Sequence, residues 1–284
     1  MKEYEELGHM EPVNSQEERQ PCYVIPHHAV FKETSTTTRT RVVFDGSAKT
    51  SNGLSLNEIL QVGPSVQQDL YSIVLRFRTH QVCFTADIAK MYRQINVHPQ
   101  DRDLQRILWR YSSDKPIQEY NLTTVTYGTS SAPYLATRCL KKLADDNKGR
   151  HPRAAHMLSN DFYVDDLLSG TSTIEDAIKV QQEISSLLQT AGFTLRKWAS
   201  NHSTFLDNIP RELQETQQTL SLDNEDGVTT LGLLWNPTND QLQVKNNTTQ
   251  VQQTNSTAST KRRVLATTAS IFDPLGLHSP AGIA

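Results

Sequence analysis

Apolar residues recur along the chain in blocks, and their spacing predicts the elements. YVIPHHAVF at 23–31 reads as extended chain, and TRTRVVFD at 38–45 as a second strand with Arg39 and Arg41 on one face. ETSTTT between them is a polar loop, followed after the second strand by a Gly-, Ser- and Asn-rich loop at 46–57. From Pro64 to His80, Val66, Leu70, Ile73, Val74 and Phe77 fall at helical spacing. QVCFTADI at 81–88 predicts a strand ending on Asp87. QRILWRY and EYNLTTVTY predict a sheet pair joined by the turn sequence SSDKP. LATRCLKKLADD at 135–146 predicts a helix, and MLSNDFYVDDLLSG at 157–170 two short strands around an acidic turn. A longer helix follows, with Ser172 and Glu175 as its capping box. Its apolar face runs from Ile174 through Ala177, Ile178, Ile184, Leu187 and Leu188 to Ala191, and Gly192 stops it. FTLRKW is a further strand, and after a polar stretch at 199–225, TTLGLLWN and QLQV form a hairpin around Pro237 and Asn239. This order predicts an α+β sheet with helices on one face.

Composition narrows the function less than the pattern does. The chain has 284 residues, 36% hydrophobic and 21% charged, with a net charge of −3. That excludes disorder throughout and a protein held to nucleic acid by excess charge alone, but leaves room for a local basic groove. No stretch approaches the roughly 20 apolar residues of a membrane span, and MKEYEELGHM lacks the basic and apolar parts of a secretory signal. Cys22, Cys83 and Cys139 are too scattered for a disulfide framework or a structural zinc site, which points to a reducing compartment. Residues 1–21 read as a polar lead-in, and 241–260, rich in Gln, Asn and Thr, as a flexible segment. IFDPLGLHSPAGIA at the end suggests a piece of a longer product.

Candidate chemistry centres on acids. In Phe162-Tyr163-Val164-Asp165-Asp166-Leu167-Leu168, apolar residues run up to two carboxylates and then resume. Neighbours on a strand point opposite ways, so a tight turn between two strands is the economical way to lift both acids from the core. The plain alternative is an ordinary Asp-rich hairpin. Asp87 also sits where an apolar strand ends, and if the two strands are neighbours the acids meet. Carboxylates packed that closely repel one another unless a divalent cation sits among them. Oxygen donors favour Mg²⁺ or Mn²⁺, and two such ions about 4 Å apart support in-line displacement at phosphorus. On the acids alone, nucleotidyl transfer and two-metal hydrolysis both remain open. Arg41 and Lys32 suit phosphates, Tyr92 a sugar, Gly128–Pro133 a close backbone approach, and Lys197 a departing pyrophosphate. His27, His28 and His98 have no companion ligand at metal spacing and read as polar surface. The chain has no Walker-type Gly-rich loop and no G-x-S-x-G elbow.

Six blocks in order carry a resemblance: RVVFDGSA at 41–48, FTADIAKMYRQI at 84–95, TYGTSSAP at 126–133, FYVDD at 162–166, AGFTLRKW at 191–198 and LGLLWN at 231–236. Together they resemble the reverse transcriptases of the BEL/Pao group of long-terminal-repeat retrotransposons. FDPLGLHSP at 272–280 is similar to the segment that follows the polymerase palm in that group, a region catalogued with the Pao-type peptidase family.

The resemblance implies an α+β fold of right-hand polymerase fingers and palm, its small antiparallel sheet backed by helices, with the thumb largely absent. Residues 22–240 would hold fingers, palm and primer-grip hairpin, and 261–284 the start of a downstream region. It implies Asp87, Asp165 and Asp166 as the catalytic, metal-holding triad for two Mg²⁺ ions, with Mn²⁺ able to substitute. Arg41, Tyr92, Tyr127, Gly128 and Lys197 would bind the dNTP, Tyr92 as the steric gate against a 2′-OH. Leu231, Gly232, Leu233, Leu234 and Trp235 would grip the primer. The implied activity is RNA-directed DNA synthesis on an RNA or DNA template with a primer. A thumb, a ribonuclease H and an integrase are expected elsewhere in the same polyprotein. The implied location is the cytoplasm, in retrotransposon particles, without a membrane partner. The alternative is a catalytically incompetent fragment or a domesticated nucleic-acid-binding relic of the same domain.

Overall fold

Val82–Ile88 (β4) carries apolar side chains at successive positions rather than alternate ones, the pattern of a strand covered on both faces. The computed structural model describes residues 1–13, 23–31, 40–215, 228–230 and 233–244. β4 is the second-unit strand around which the others assemble: the sheet order is β7 (Phe162–Tyr163), β8 (Asp166–Thr171), β4, β9 (Leu195–Ser200), every pair antiparallel. This sheet belongs to one of two compact units, formed by Gln68–Ala89, Asn147–Thr190 and the described residues from Thr194 onward.

Both faces of the sheet are covered, not one as the element order predicts. Cys83, Leu168 and Ala199 pack against Ile73, Val74 and Phe77 of α3 (Leu70–Phe77) and against Trp235. On the other face Phe84 stacks on Phe205 of α7 (Ser203–Leu206), ring centroids 4.9 Å apart, with Trp198 beside both. The reason is β4 itself, since Cys83 and Phe84 point to opposite faces and both are apolar.

α3 is shorter than its apolar spacing predicts. Asp69 caps it by accepting a hydrogen bond from the Ser72 amide at 2.8 Å, so the helix begins at Leu70 and leaves Val66 outside. α6 (Ile174–Thr190) starts one residue later than the predicted box, because Thr173, not Ser172, accepts from the Asp176 amide. Gly192 with φ +79° follows its end, as expected. α5 (Pro152–Asn160), with Pro152 at its first turn, is a helix that the pattern did not reveal, and it takes up the MLSN expected in a strand. β10 (Val228–Thr230), β11 (Leu233–Asn236) and β12 (Gln241–Val244) form a separate antiparallel sheet, so the segment expected to be flexible from 241 begins with a strand.

The other unit comprises the described residues of Met1–Gln67, Lys90–Asp146 and Ala191–Phe193. β5 (Arg106–Trp109) and β6 (Gln118–Leu122) pair as predicted, and β2 (His27–Phe31) pairs with β3 (Thr40–Phe44). The first 13 residues are not a lead-in. α1 (Lys2–Glu6) buries Tyr4, and β1 (Met10–Pro12) joins the edge of β6, with Met10 opposite Leu122. Their hydrophobic groups explain this: Tyr4 and Met10 join Ile25, Phe44, Leu56, Ile107, Tyr120 and Leu122 in one core, which the acidic composition of the segment masks. α2 (Leu56–Ile59) has a Ser55–Glu58 capping box, and α4 (Ala132–Asn147) is the helix predicted after Pro133. No helix among the described residues is long and apolar enough to cross a membrane.

Candidate active site

β4 and β8 are neighbours, and their register sets Asp87 directly opposite Asp166. Directly opposed residues of an antiparallel pair share a face, with Cβ atoms about 4.5–5.5 Å apart. Asp165 occupies the two-residue turn between β7 and β8, and its carbonyl accepts from the Ile88 amide at 2.9 Å. The first turn residue, Val164, has φ +55° while Asp165 does not, the pattern of a II′ hairpin turn. That position ordinarily holds glycine; a β-branched residue there stores local strain, on the order of 1–2 kcal/mol.

The acids bear the electrostatic consequence. Burial pushes the Asp166 carboxyl up to about 7, and the Asp165 and Asp87 charges add to it. Burial also raises Asp165, with Asp87 adding and Lys197 and Arg196 opposing. Asp87 is instead neutralised: Arg196 Nε donates to Oδ1 at 2.8 Å and Lys197 Nζ to Oδ2 at 3.1 Å. Simple strand alternation sends neighbours 196 and 197 to opposite faces. A β-bulge defeats that alternation, since two residues of β9, Lys197 and Trp198, face only Ala86 of β4, and Lys197 takes a left-handed φ of +53°. Both cations thereby reach one carboxylate.

The donor set suits a hard divalent cation, being carboxylate oxygen throughout. Asp165 and Asp166 are held near each other at an electrostatic cost that a cation would remove. Among the described residues, however, no group of three Asp, Glu, His or Cys side chains is arranged to hold a metal ion, and Asp87 is engaged by its two cations. Arg196 and Lys197 thus engage both carboxylate oxygens of Asp87.

Three further groups belong to this region and carried no signal in the sequence. Arg196, within the strand sequence FTLRKW, is one of them. Glu215 donates its amide to the Trp198 carbonyl at 2.9 Å, and its carboxyl is raised by burial, with Lys197 opposing and Asp87 adding. Asp161, immediately before β7, is buried and accepts from Arg76 Nε of α3 at 3.2 Å and from Ser169 Oγ of β8 at 2.6 Å. It ties the base of the acidic hairpin to a helix and to the neighbouring strand.

Apart from Lys197 on β9, the nucleotide-side candidates lie in the unit that begins at Met1. Arg41 is exposed on β3, and Asp45 follows the strand, accepting from the Ser47 amide at 2.9 Å. Tyr92 is half-buried in a 3₁₀ turn, Met91–Gln94. Tyr127 packs on Phe44, ring centroids 5.6 Å apart, and donates to the Val42 carbonyl. Gly128 has φ +94°, and a Cβ there would lie 2.1 Å from the Phe44 carbonyl oxygen, so only glycine fits. Asn57, another residue without a sequence signal, locks this turn: its Nδ2 donates to the Gly128 carbonyl at 3.0 Å and to Ser47 Oγ at 2.8 Å. Its Oδ1 accepts from the Ser130 amide at 2.7 Å. His98 is a cap, its Nδ1 accepting from the Gln100 amide.

Of the primer-grip residues, Leu233, Leu234 and Trp235 lie on β11, in the predicted hairpin with β12. Trp235 is buried, its ring edge on Phe77 at 5.0 Å and its Nε1 donating to Asp240 at 2.9 Å, so its side chain anchors the hairpin. Lys32, Arg39, Cys22, Leu231 and Gly232 lie outside the described residues.

Comparison with known proteins places the chain in a family and a fold. The family model for reverse transcriptase (RNA-dependent DNA polymerase) matches residues 32–232. Comparison with curated protein sequences finds no match. Among solved structures, a selenomethionine-labelled CSH mutant of the prototype foamy virus protease–reverse transcriptase is similar, with 18% identity and a TM-score of 0.51. The match covers 68% of this chain and 22% of that one. The native form of the same viral protein gives 19% identity, 67% and 22% coverage and a TM-score of 0.49. This chain thus spans about a fifth of the viral protein, and at that identity the likeness concerns the fold, an α+β arrangement of fingers and palm. By the family match over most of its length, the chain belongs to the reverse transcriptase family.

Proposed function

We propose that this domain is an RNA-directed DNA polymerase of a BEL/Pao-type retrotransposon, adding dNTPs to a primer 3′-hydroxyl. The observation that carries the reading is the register of Asp87 against Asp166, with Asp165 at the strained turn beside them. Asp87, Asp165 and Asp166 would hold two Mg²⁺ ions, or Mn²⁺. Once bound, such ions supply Lewis-acid activation of the attacking hydroxyl and stabilise the leaving pyrophosphate. Lys197, released from Asp87, serves as proton donor to pyrophosphate, while Arg41 takes the triphosphate. The Tyr92 ring excludes a ribose 2′-OH, and Gly128, with no side chain, lets a base or sugar approach the backbone. Leu231, Gly232, Leu233, Leu234 and Trp235 would grip the primer end. Base pairing selects the nucleotide, so the protein needs to hold the duplex only through its backbone and shape. The six sequence blocks support the BEL/Pao placement, and with it a thumb, a ribonuclease H and an integrase in the same polyprotein.

A second reading, a domain that binds nucleic acid without polymerising, is favoured by the engagement of Asp87 with Arg196 and Lys197. Primer extension on an RNA template with Mg²⁺ or Mn²⁺ and dNTPs separates the two. The polymerase reading expects metal-dependent product that Asp165→Asn abolishes. Duplex binding without product supports the second reading, and product that survives Asp165→Asn overturns the proposed mechanism.

A further inference from the structure

The N-terminal segment touches the surroundings of every nucleotide-side candidate in its unit. Tyr127 donates its hydroxyl hydrogen to the Val42 carbonyl, in the strand that carries Arg41. The Tyr4 and Tyr127 hydroxyls are 3.0 Å apart, and because the Tyr127 hydrogen is committed, Tyr4 is the donor. A directed chain results: Tyr4 to Tyr127 to the Val42 carbonyl. Burial keeps the Tyr4 phenol protonated, and its ring packs edge-on to Phe44 at 6.0 Å.

The same segment grips the turn that carries Tyr92. The Arg93 guanidinium lies 4.2 Å above the Tyr4 ring, and Arg93 Nε donates to His9 Nδ1 at 2.9 Å. Burial, with the Arg93 and Lys90 charges, holds His9 below the usual imidazole range, as a neutral acceptor. Glu3 pairs with Lys90, which precedes the Tyr92 turn, and with Arg93, within it. Finally, the Gly8 and His9 carbonyls accept from the Thr123 hydroxyl at 2.7 Å and from its amide at 3.1 Å, four residues before Tyr127.

We propose that Met1–Val13 is a built-in brace for nucleotide selection, with Tyr4 the positioning residue that sets Tyr127 and the Arg41 strand, and Glu3 the one that sets the Tyr92 turn. The proposal rests on the polymerase reading for what is positioned, though not for the positioning itself. A segment that served only to fill the core would need the Tyr4 ring but not its hydroxyl.

Tyr4→Phe removes the hydroxyl and keeps the ring. In the full chain, primer extension should show KM for dNTP raised about threefold to tenfold, the fold-change of one partly buried hydrogen bond. The kcat and the primer–template Kd should stay within twofold. Unchanged KM, or an equal loss in KM and primer–template Kd, overturns the proposal, since the first means packing alone and the second general loosening. Amide hydrogen exchange supplies a readout independent of turnover. Tyr4→Phe should speed exchange in 40–44 and 126–131, and Glu3→Gln in 90–94, with β4 and β8 unchanged. Exchange unaffected by both variants overturns the brace even if the protein polymerises. Exchange changed as expected in a protein without polymerase activity keeps the brace and rejects the polymerase reading.

Discussion

At the acid end of the second unit's sheet, Asp87 stands opposite Asp166 in register, burial shifts Asp165 and Asp166 upward, and the turn between strands carries a left-handed valine. In the tyrosine chain of the first unit, each hydroxyl has a defined direction, and the charges around it are matched, Glu3 with Lys90 and Arg93. The first region is destabilised as built, while the second is satisfied. Strain concentrates where a ligand with opposite charge would relieve it, and preorganisation where a neutral fit has to be held without one.

The largest loss of stability falls on the satisfied side, at Gly128. Gly128→Ala places a methyl against the Phe44 carbonyl at a positive φ, and urea unfolding should show a loss of about 3–5 kcal/mol. Asp161 gives the next largest effect, because it is the satisfied anchor beneath the strained hairpin. Asp161→Ala removes the acceptor of Arg76 Nε and of Ser169 Oγ and should lose about 3 kcal/mol in the same measurement.

Asp166 sharpens the contrast through its sign. Its folded pKa of about 7 lies above the unfolded carboxylate range, so the unfolded chain releases its proton first as pH rises. Stability from this group is full below about pH 4, falls between about 4 and 7, and is absent above. Asp166→Asn should therefore stabilise the metal-free protein by about 2–4 kcal/mol at pH 8 and by almost nothing at pH 4. Thermal unfolding in a chelating buffer at the two pH values measures it. Equal effects at both would assign the change to packing.

Val164→Gly is the smallest of the set. It relieves the left-handed strain but loosens the unfolded chain, leaving a net gain of about 0.5–1 kcal/mol, readable as a small rise in Tm.

Much of this architecture was legible in the chain, for reasons that can be named. β4 and the acidic hairpin stand out because apolar runs stop abruptly at Asp87 and at Asp165–Asp166, and α6 because its apolar face persists over four turns to Gly192. Local competition hid other features. Thr173 displaced Ser172 as cap by one position, and Asp69 ended the apolar spacing that began at Val66. α5 is short, and two of the four residues of its buried face, Ala154 and Ala155, are alanines beside Met157 and Leu158, which gives little periodic contrast. The Arg196–Lys197 pair was illegible because period-2 alternation separates neighbours, and only the bulge reunites them. The brace was hidden by composition, with Tyr4 and Met10 set among four acidic residues in the first thirteen.

The acid end, if it holds divalent cations as proposed, gains stability when they bind, because burial raises Asp165 and Asp166. The most direct measurement is thermal unfolding at pH 8 during Mn²⁺ titration of the wild type and Asp166→Asn. The expected result is a saturable rise in Tm for the wild type, and for the variant a higher starting Tm with little or no further rise. Equal Mn²⁺ responses in both proteins, or none in the wild type together with no gain in the variant, would contradict the account.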